Sequence, residues 1–182
     1  TGVQNTIVGS LAGDALTTGS YNVALGYRAL GAEDAHGNNT AIGYSALRLQ
    51  NAGEDAYNVA LGYNAGENVS TGTSNVLLGS QAGDALTTGS HNVAVGRGAL
   101  GGEDAHGRNV AVGHEALNSQ DAGANATNVA MGYEAGHDVS TGKWNTIIGG
   151  NAGDALTTGD NNIVIGYNAA ASAVDVDNTI TM

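Results

Sequence analysis

The sequence predicts an all-β protein, a parallel β-solenoid of about eleven short coils, and three observations lead to this prediction. One block of residues recurs along the chain at a nearly constant step. Each block contains a short β-branched or aliphatic run that is followed by glycine. The 182 residues include 30 Gly but no Phe, Pro or Cys, a composition that favours stacked small side chains over a compact core.

The longest repeat has a period of 70 residues. Blocks that begin at Thr1, Thr71 and Thr141 align without a gap over their first 26 positions. The chain is therefore interpreted as a single repeat domain, 1–182, with super-repeats 1–70 and 71–140 and a partial third one over 141–182. We expect it to be part of a longer fibrous chain.

A finer repeat lies within each super-repeat. It consists of Asn, three mostly apolar residues, Gly, two variable residues and Ala, and its steps are 17, 17, 19 and 17 residues. An eleventh start is expected at Asn178, one residue early. The recurring Asn and Gly positions are predicted to form a structural ladder: Asn5, Gly9, Asn22, Gly26, Asn39, Gly43, Asn58, Gly62, Asn75, Gly79, Asn92, Gly96, Asn109, Gly113, Asn128, Gly132, Asn145, Gly149, Asn162 and Gly166.

Each unit is predicted to contribute one strand and a corner. In "NVALG" the second and fourth residues point to one side of the strand and the third to the other. Both sides are largely apolar, so one should fill the coil and the other should be covered by a partner. The simplest partner is another copy of the chain, with the frequent Ala of the third position close to a shared axis. We therefore expect a homotrimer, and a monomeric solenoid with an apolar strip is the alternative.

The rest of each coil is predicted to hold a looser outer strand and its turns. Stretches such as "GDALTTGS" place Leu16, Val69, Leu86 and Val139 among Gly, Asp, Ser and Thr. Stacked Asn amides are expected to hydrogen-bond along the rod and to the turn backbone. The two extra residues in the third coil of each super-repeat should form a small bulging loop.

Charge restricts the partners. Seventeen acidic and five basic residues give a net charge of −12, which argues against nucleic acid and against anionic membranes. No apolar run reaches the roughly 18 residues that a membrane span needs. Cations or neutral sugar surfaces are the more natural partners, and no organic cofactor is expected.

The sequences of the repeat units resemble those of known fibrous proteins. Units such as "NTAIGYSAL" and "NVALGYNAG" are similar to the head repeats of YadA-type trimeric autotransporter adhesins. They are still more similar to repeats of tail-fibre and appendage proteins of bacteriophages, particularly cyanophage-like ones, in which such blocks precede an endosialidase-type chaperone domain. The closing "ASAVDVDNTITM" resembles the segment that leads to that domain. The resemblance implies a left-handed parallel β-roll in a trimer, although coils of 17 and 19 residues depart from the adhesin pattern.

Two acidic turns are candidate metal sites. "GAEDAHG" and "GGEDAHG" each place two carboxylates and an imidazole within four residues, a donor set that can hold a divalent cation. A solvated acidic turn is the alternative interpretation. The candidate ligands are Glu33, Asp34, His36, Glu103, Asp104 and His106.

Aromatic residues follow two rows, one directly before the repeated Asn and one directly after the repeated Gly. Such rows can stack against sugar rings, or the rings can stack on each other along the rod. The candidate glycan contacts are Tyr21, Tyr57 and Trp144 in the first row and Tyr27, Tyr44, Tyr63, Tyr133 and Tyr167 in the second.

These observations predict a structural protein and not an enzyme. No recurrent Ser, His and Asp set, phosphate-binding loop or dinucleotide fingerprint is present. The predicted function is a trimeric fibre or adhesin segment on a virion or on an extracellular cell surface, which projects a recognition tip and contacts glycans. The alternatives are an autotransporter-like adhesin head and a self-assembling filament, followed by an ice-binding solenoid and a polysaccharide depolymerase.

Overall fold

The protein is a β-solenoid of about ten turns, and each turn contributes one short parallel strand to a single sheet. The computed structural model describes residues 2–102, 105–170 and 175–182. Its strands follow the chain order without a crossover. They are β1 (Thr6–Val8), β2 (Val23–Leu25), β3 (Thr40–Ile42), β4 (Val59–Leu61), β5 (Val76–Leu78), β6 (Val93–Val95), β7 (Val110–Val112), β8 (Val129–Met131), β9 (Thr146–Ile148), β10 (Ile163–Ile165) and β11 (Ile180–Thr181).

The register of the sheet follows the sequence repeat. Val23 pairs with Thr40 across a 17-residue coil, and Ala41 pairs with Ala60 across a 19-residue coil. The same position of the motif therefore always lies above itself, which confirms the predicted coil steps. The described residues contain no helix, and hence no helix that could cross a membrane.

The interior of the coil is lined by the third position of the motif. Ala24, Ala41 and Leu77 are inaccessible to solvent, whereas their neighbours in each strand are half-buried or exposed. The prediction that the Ala row lies on an axis shared with other chains is therefore wrong. Alanine suits the interior because Leu and Val side chains from the opposite wall fill the remaining width of a narrow coil. These opposing residues are Leu30, Leu47, Val69, Leu86, Leu100, Leu117, Val139 and Leu156.

The wall opposite the sheet consists of turns and bends. No second strand forms there in the described residues, so the predicted outer strand is wrong. The backbone of each coil turns repeatedly through positive φ, as at Arg28 (56°) and Leu30 (53°), which interrupts any extended run. Apolar side chains such as Val69 and Leu86 still point inward from these turns.

The repeated glycine is required where adjacent coils approach each other. At Gly96 the backbone has a φ of 132°, and an added Cβ would overlap the carbonyl oxygen of Gly113 in the next coil. The same close approach recurs along the column from Gly9 to Gly149, whereas a Cβ at Gly166, the last of the column, would meet only Cβ of Ala169 at 3.6 Å. Glycine thus allows the strand to end and the coils to remain at β-sheet spacing.

The two 19-residue coils accommodate their extra residues as predicted, in an exposed loop. An added Cβ at Gly53 or Gly123 would meet no atom within 4 Å, so both loops point into solvent. The base of each loop holds a buried glutamine, Gln50 or Gln120, which occupies the interior beside the Asn ladder. Sequence analysis missed these two glutamines.

The last coil keeps the 17-residue step. Ile163 pairs with Ile180, and the backbone N–H of Thr179 donates to Oδ1 of Asn162 at 3.0 Å. Thr179 therefore takes the ladder position, and the expected eleventh start at Asn178 is wrong. Asn178 instead has a φ of 57°, the conformation of the residue before each ladder position, which asparagine tolerates well.

Candidate functional site

The outer face of the sheet is an apolar strip that runs the length of the rod. It is formed by the second and fourth positions of the motif, which point away from the core on every strand. Leu61, for example, is 50% exposed although it lies in the middle of a strand-rich surface. No charged residue occupies these positions. The strip comprises Thr6, Val8, Val23, Leu25, Thr40, Ile42, Val59, Leu61, Val76, Leu78, Val93, Val95, Val110, Val112, Val129, Met131, Thr146, Ile148, Ile163, Ile165, Ile180 and Met182.

The aromatic row that follows the repeated Gly forms a stack in the first super-repeat. The ring centroids of Tyr27 and Tyr44 are 5.2 Å apart, and those of Tyr44 and Tyr63 are 5.3 Å apart. The interplanar angles of 25° and 16° place the rings nearly parallel. The rings therefore cover one another's faces and present their edges to solvent, as expected for rings stacked along the rod.

The row before the repeated Asn is less continuous. Tyr21, Tyr57 and Trp144 are all exposed, and all three have positive φ, as does every residue of this row in the described chain. Asn38 separates Tyr21 from Tyr57, so these two rings are not in adjacent coils. The ammonium of Lys143 lies 5.8 Å from the centroid of the Trp144 ring. Isolated rings of this kind offer a face to a ligand, unlike the stacked row.

The second super-repeat replaces part of the tyrosine stack by charged residues. His114 stacks on Tyr133 with centroids 5.1 Å apart and an interplanar angle of 9°. The guanidinium of Arg97 contacts both the His114 ring and the Glu115 carboxylate. Tyr167, further along this row, is the most exposed tyrosine of the chain. The surface chemistry thus changes along the rod while the scaffold does not.

This charged cluster contains a group of metal-type donors that sequence analysis missed. Donor atoms of His114, Glu115 and Glu134 lie within 4.8 Å of one another. The Glu134 carboxylate raises the pKa of the Tyr133 phenol, chiefly through a hydrogen bond. Arg97 forms an ion pair with the Glu115 carboxylate, so this carboxylate already has a positively charged partner. These residues come together only because adjacent coils stack on one another. The sequence did offer a signal for the cluster, since His114 and Glu134 replace Tyr44 and Asn64 of the first super-repeat.

The predicted turn at Glu33, Asp34 and His36 brings its donors together. Their ligand atoms lie within 4.8 Å of one another. Glu33 is inaccessible to solvent, and burial raises the pKa of its carboxyl group. The interpretation of this turn as a solvated acidic loop is therefore wrong for Glu33, since the side chain folds back into the protein.

The hydrogen bonds of Glu33 leave part of its carboxylate unused. Oε1 accepts the backbone N–H of His36 at 3.0 Å, and Nδ1 of the same histidine lies 3.7 Å from this oxygen. Oε2 is buried and has no hydrogen-bond partner, and Nδ1 of His36 has none either. A buried polar atom without a hydrogen-bond partner lowers the stability of the folded protein. Oε2 of Glu33 and Nδ1 of His36 are two such atoms in one turn.

The matching turn of the second super-repeat is only partly described. The candidate ligands Glu103 and Asp104 lie outside the described residues. The backbone carbonyl of His106 accepts a hydrogen bond from Nδ2 of Asn92 at 3.2 Å. The corresponding bond in the first super-repeat joins Nδ2 of Asn22 to the carbonyl of His36 at 3.1 Å, so the two turns are anchored in the same way.

The Asn ladder is a continuous hydrogen-bonded column. Oδ1 of Asn75 accepts the backbone N–H of Asn92 at 2.9 Å, and Nδ2 of Asn75 donates to the carbonyl of Gly89, also at 2.9 Å. An asparagine with both bonds links its own coil to the next and fixes the turn 14 residues later. Asn39 makes only the first link, since its Nδ2 atom is buried without a hydrogen-bond partner. The bond along the stack runs from backbone to side chain, whereas the sequence suggested contacts between amides. A bond between two ladder amides occurs at Asn162 and Asn145, at 3.1 Å.

Two shallow grooves lie beside the rows described above. One encloses about 300 Å³ next to Asp14, Arg28 and Arg48, and the other about 230 Å³ next to Asp84 and Arg97. They occupy equivalent places in the two super-repeats. Burial raises the pKa of the Asp84 carboxyl group, which lines the second groove.

Comparisons with known proteins do not identify a relative. The chain matches no family model, no curated protein and no solved structure. Membership of the adhesin or tail-fibre families stays a prediction that rests on the sequence of the repeat units alone.

Proposed function

We propose that this chain is a rod segment of a homotrimeric fibre or adhesin, of the kind carried by phage tail fibres and surface appendages. The apolar strip on the outer face of the sheet carries the proposal. A continuous row of mostly Val, Leu and Ile side chains, half-buried or exposed along eleven strands, is the kind of apolar surface that marks an interaction site.

A second copy of the chain is the partner that fits this strip. The strip repeats at every strand of the parallel sheet, so its rise is the β-sheet spacing of about 4.8 Å over a length of about 50 Å. A chain with the same coil spacing can interdigitate with it along the whole rod. Three chains around one axis would cover all three strips, and the number three follows from the resemblance to trimeric adhesins.

In this proposal the rod is a spacer that projects a recognition tip from a virion or from a cell surface. Its supports are the uniform scaffold, the surface residues that vary along it and the net charge of −12, which keeps parallel fibres apart. The autotransporter-like head and the self-assembling filament share the same covered strip. They differ in what is attached to the rod.

The oligomeric state tests this proposal. We expect sedimentation equilibrium at micromolar concentration to give three times the 18.0 kDa mass of the chain. Leu61→Asp combined with Leu78→Asp should give a monomer, because two carboxylates per chain would be buried in the interface. Ala124→Asp, in the exposed loop of a 19-residue coil, is the matched control and should leave the trimer intact.

A folded wild-type monomer would contradict the proposal, and so would an unchanged mass of the double variant. A dimer would retain the covered strip but exclude the threefold fibre. Species that grow with concentration and with no fixed mass would favour a filament. Circular dichroism of each variant shows whether the solenoid is still folded.

Contact with neutral surface glycans is a second candidate function, supported by the exposed aromatic row that precedes the repeated Asn. Trp144 is 56% exposed and presents an unstacked ring, which is the geometry that sugar stacking requires. We expect glycan-array binding by the wild-type rod, and loss of that binding in Tyr57→Ala combined with Trp144→Ala. Equal binding by the wild type and this variant would exclude the row before the Asn as the contact.

A further inference from the structure

We propose that Glu33, Asp34 and His36 form a binding site for a borderline divalent cation of the Zn²⁺ class. This inference is independent of the proposed fibre function. It begins from the three donors whose ligand atoms lie within 4.8 Å of one another. Zn²⁺ bonds nitrogen and oxygen ligands at about 2.0–2.2 Å, so two ligands of one ion are at most about 4.4 Å apart. Small side-chain rotations therefore suffice to close the site.

The buried, unpaired atoms of the turn are the second observation. Glu33 is inaccessible to solvent, yet its Oε2 atom has no hydrogen-bond partner, and the same is true of Nδ1 of the neighbouring His36. In the tautomer that carries its proton on Nε2, His36 offers Nδ1 as an acceptor, and this nitrogen lies 3.7 Å from the other carboxylate oxygen, Oε1. The turn then holds two buried acceptor atoms that lack a hydrogen-bond partner. A cation satisfies both atoms at once, whereas a single proton on Glu33 satisfies one oxygen at most.

The backbone holds the donors in place from both neighbouring coils. The carbonyl of Asp34 accepts the N–H of Thr17 at 2.7 Å and its hydroxyl at 2.9 Å. The N–H of Gly37, directly after His36, donates to Oδ1 of Asp55 in the next coil at 3.0 Å. A site that is held in this way loses little conformational entropy when it binds an ion.

The local charge also favours a cation in the first super-repeat. Asp55 adds a third carboxylate there, whereas the equivalent residue of the second super-repeat is Asn125, whose Oδ1 accepts the N–H of Gly107 at 3.0 Å. Asn38 follows Gly37, whereas Arg108 follows Gly107. The first turn is therefore more negative by two charges than its sequence counterpart.

The donor set points to the class of ion. One imidazole with carboxylates suits Zn²⁺ and similar first-row ions, whereas Ca²⁺ and Mg²⁺ prefer six or more oxygen ligands. Asp34 is exposed and His36 is half-buried, so an ion can enter from solvent and keep water at a fourth position.

Zinc titration of matched variants tests the proposal. Because Glu, Asp and His recur at 103–106, all chains carry Glu103→Gln, which confines the comparison to the first turn. ZnCl₂ is titrated by calorimetry in a buffer that does not bind zinc. Loss of an outer-shell residue alone weakens metal binding about 10- to 100-fold, so adding Glu33→Gln should remove one zinc equivalent or weaken it by at least about tenfold.

Two further variants distinguish ligation from a structural effect of Glu33. Asp34→Asn and His36→Gln change accessible side chains and should each weaken the same equivalent, even if Glu33→Gln unfolds the coil. Zinc should also raise the melting temperature of the Glu103→Gln chain and shift the His36 imidazole resonances in NMR spectra. CaCl₂ at the same concentration should do neither.

The proposal is overturned if the Glu103→Gln chain binds no zinc, or if zinc binding is the same with and without Glu33→Gln, Asp34→Asn and His36→Gln. It is also overturned if zinc shifts the resonances of His114 but not those of His36. That result would assign the zinc to the charged cluster of the second super-repeat.

Discussion

Nδ2 of Asn128 donates a buried hydrogen bond of 2.6 Å to Oε1 of Gln120, eight residues earlier in the chain. The equivalent bond in the first super-repeat joins Asn58 to Gln50 at 2.7 Å. Both pairs lie in the 19-residue coils, where the buried glutamine side chain takes up interior space beside the Asn ladder. The glutamine fills that space with a polar group that the ladder can bind.

The two glutamines differ in their second amide contact, which predicts a difference in stability. Nε2 of Gln120 donates to the carbonyl of Ser140 at 3.0 Å, whereas Nε2 of Gln50 is buried without a partner. With about 0.5–1.5 kcal/mol for each hydrogen bond, Gln120→Leu should lower the free energy of unfolding by roughly 1–3 kcal/mol and Gln50→Leu by about half as much. Urea unfolding at a fixed protein concentration measures both, and equal losses would contradict the prediction.

Removal of one asparagine from the middle of the ladder should be strongly destabilising. Asn75→Ala takes a partner from the backbone N–H of Asn92 and from the carbonyl of Gly89, both of which are buried. At about 1–3 kcal/mol for each group, the free energy of unfolding should fall by roughly 2–6 kcal/mol. Asn51→Ala, at an exposed loop position, is the control and should change it by less than about 0.5 kcal/mol. Similar losses in the two variants would mean that the ladder bonds add little.

A side chain in the glycine column should disrupt the stack. Gly96→Ala places a methyl group against the carbonyl of Gly113 and requires alanine at a φ of 132°. Overpacking and backbone strain each cost about 1–3 kcal/mol, so a loss of roughly 2–6 kcal/mol is expected in thermal or urea unfolding. Gly53→Asn is the control, because this loop position is open to solvent and asparagine tolerates its φ of 75°. A fully stable Gly96→Ala chain would show that the coil spacing can relax.

The half-buried carboxyl group of Asp84 predicts a pH effect. Burial raises its pKa in the folded chain, so the folded state holds this proton more tightly than the unfolded state. The contribution to stability is therefore present at low pH and is lost as the pH rises through the raised pKa. Asp84→Asn should raise the melting temperature at pH 7, and the gain should vanish below the ordinary aspartate range.

The equivalent exposed residue provides the control for this effect. Asp14→Asn, one super-repeat earlier, removes the same charge from an exposed position and should raise the melting temperature at pH 7 less than Asp84→Asn does. Equal responses of the two variants would assign the effect to the net charge of the chain and not to burial of Asp84.

Much of the solenoid could be predicted because its information is local and repeated. The steps of 17 and 19 residues, the position of each strand and the opposite orientation of Ala24 and its neighbours all follow from the period of the motif. Which side faced inward did not follow, because both faces of "NVALG" are apolar. The eleventh start was misplaced at Asn178 because the prediction required an asparagine at the ladder position. Thr179 takes that position instead, since any residue can donate its backbone N–H to Oδ1 of Asn162.

The candidate sites likewise differ in whether their residues are close together in the sequence. The Glu33 turn was visible because its donors are at most three residues apart, whereas the cluster of Arg97, His114 and Glu115 joins adjacent coils. The sequence by itself determined the coil length, the strand positions and the residues repeated along the rod, because each depends on a period. Only the tertiary structure decided which face fills the core, that Glu33 is buried and how Gln120 meets Asn128. These features depend on how much space the stacked coils leave, which no single repeat specifies.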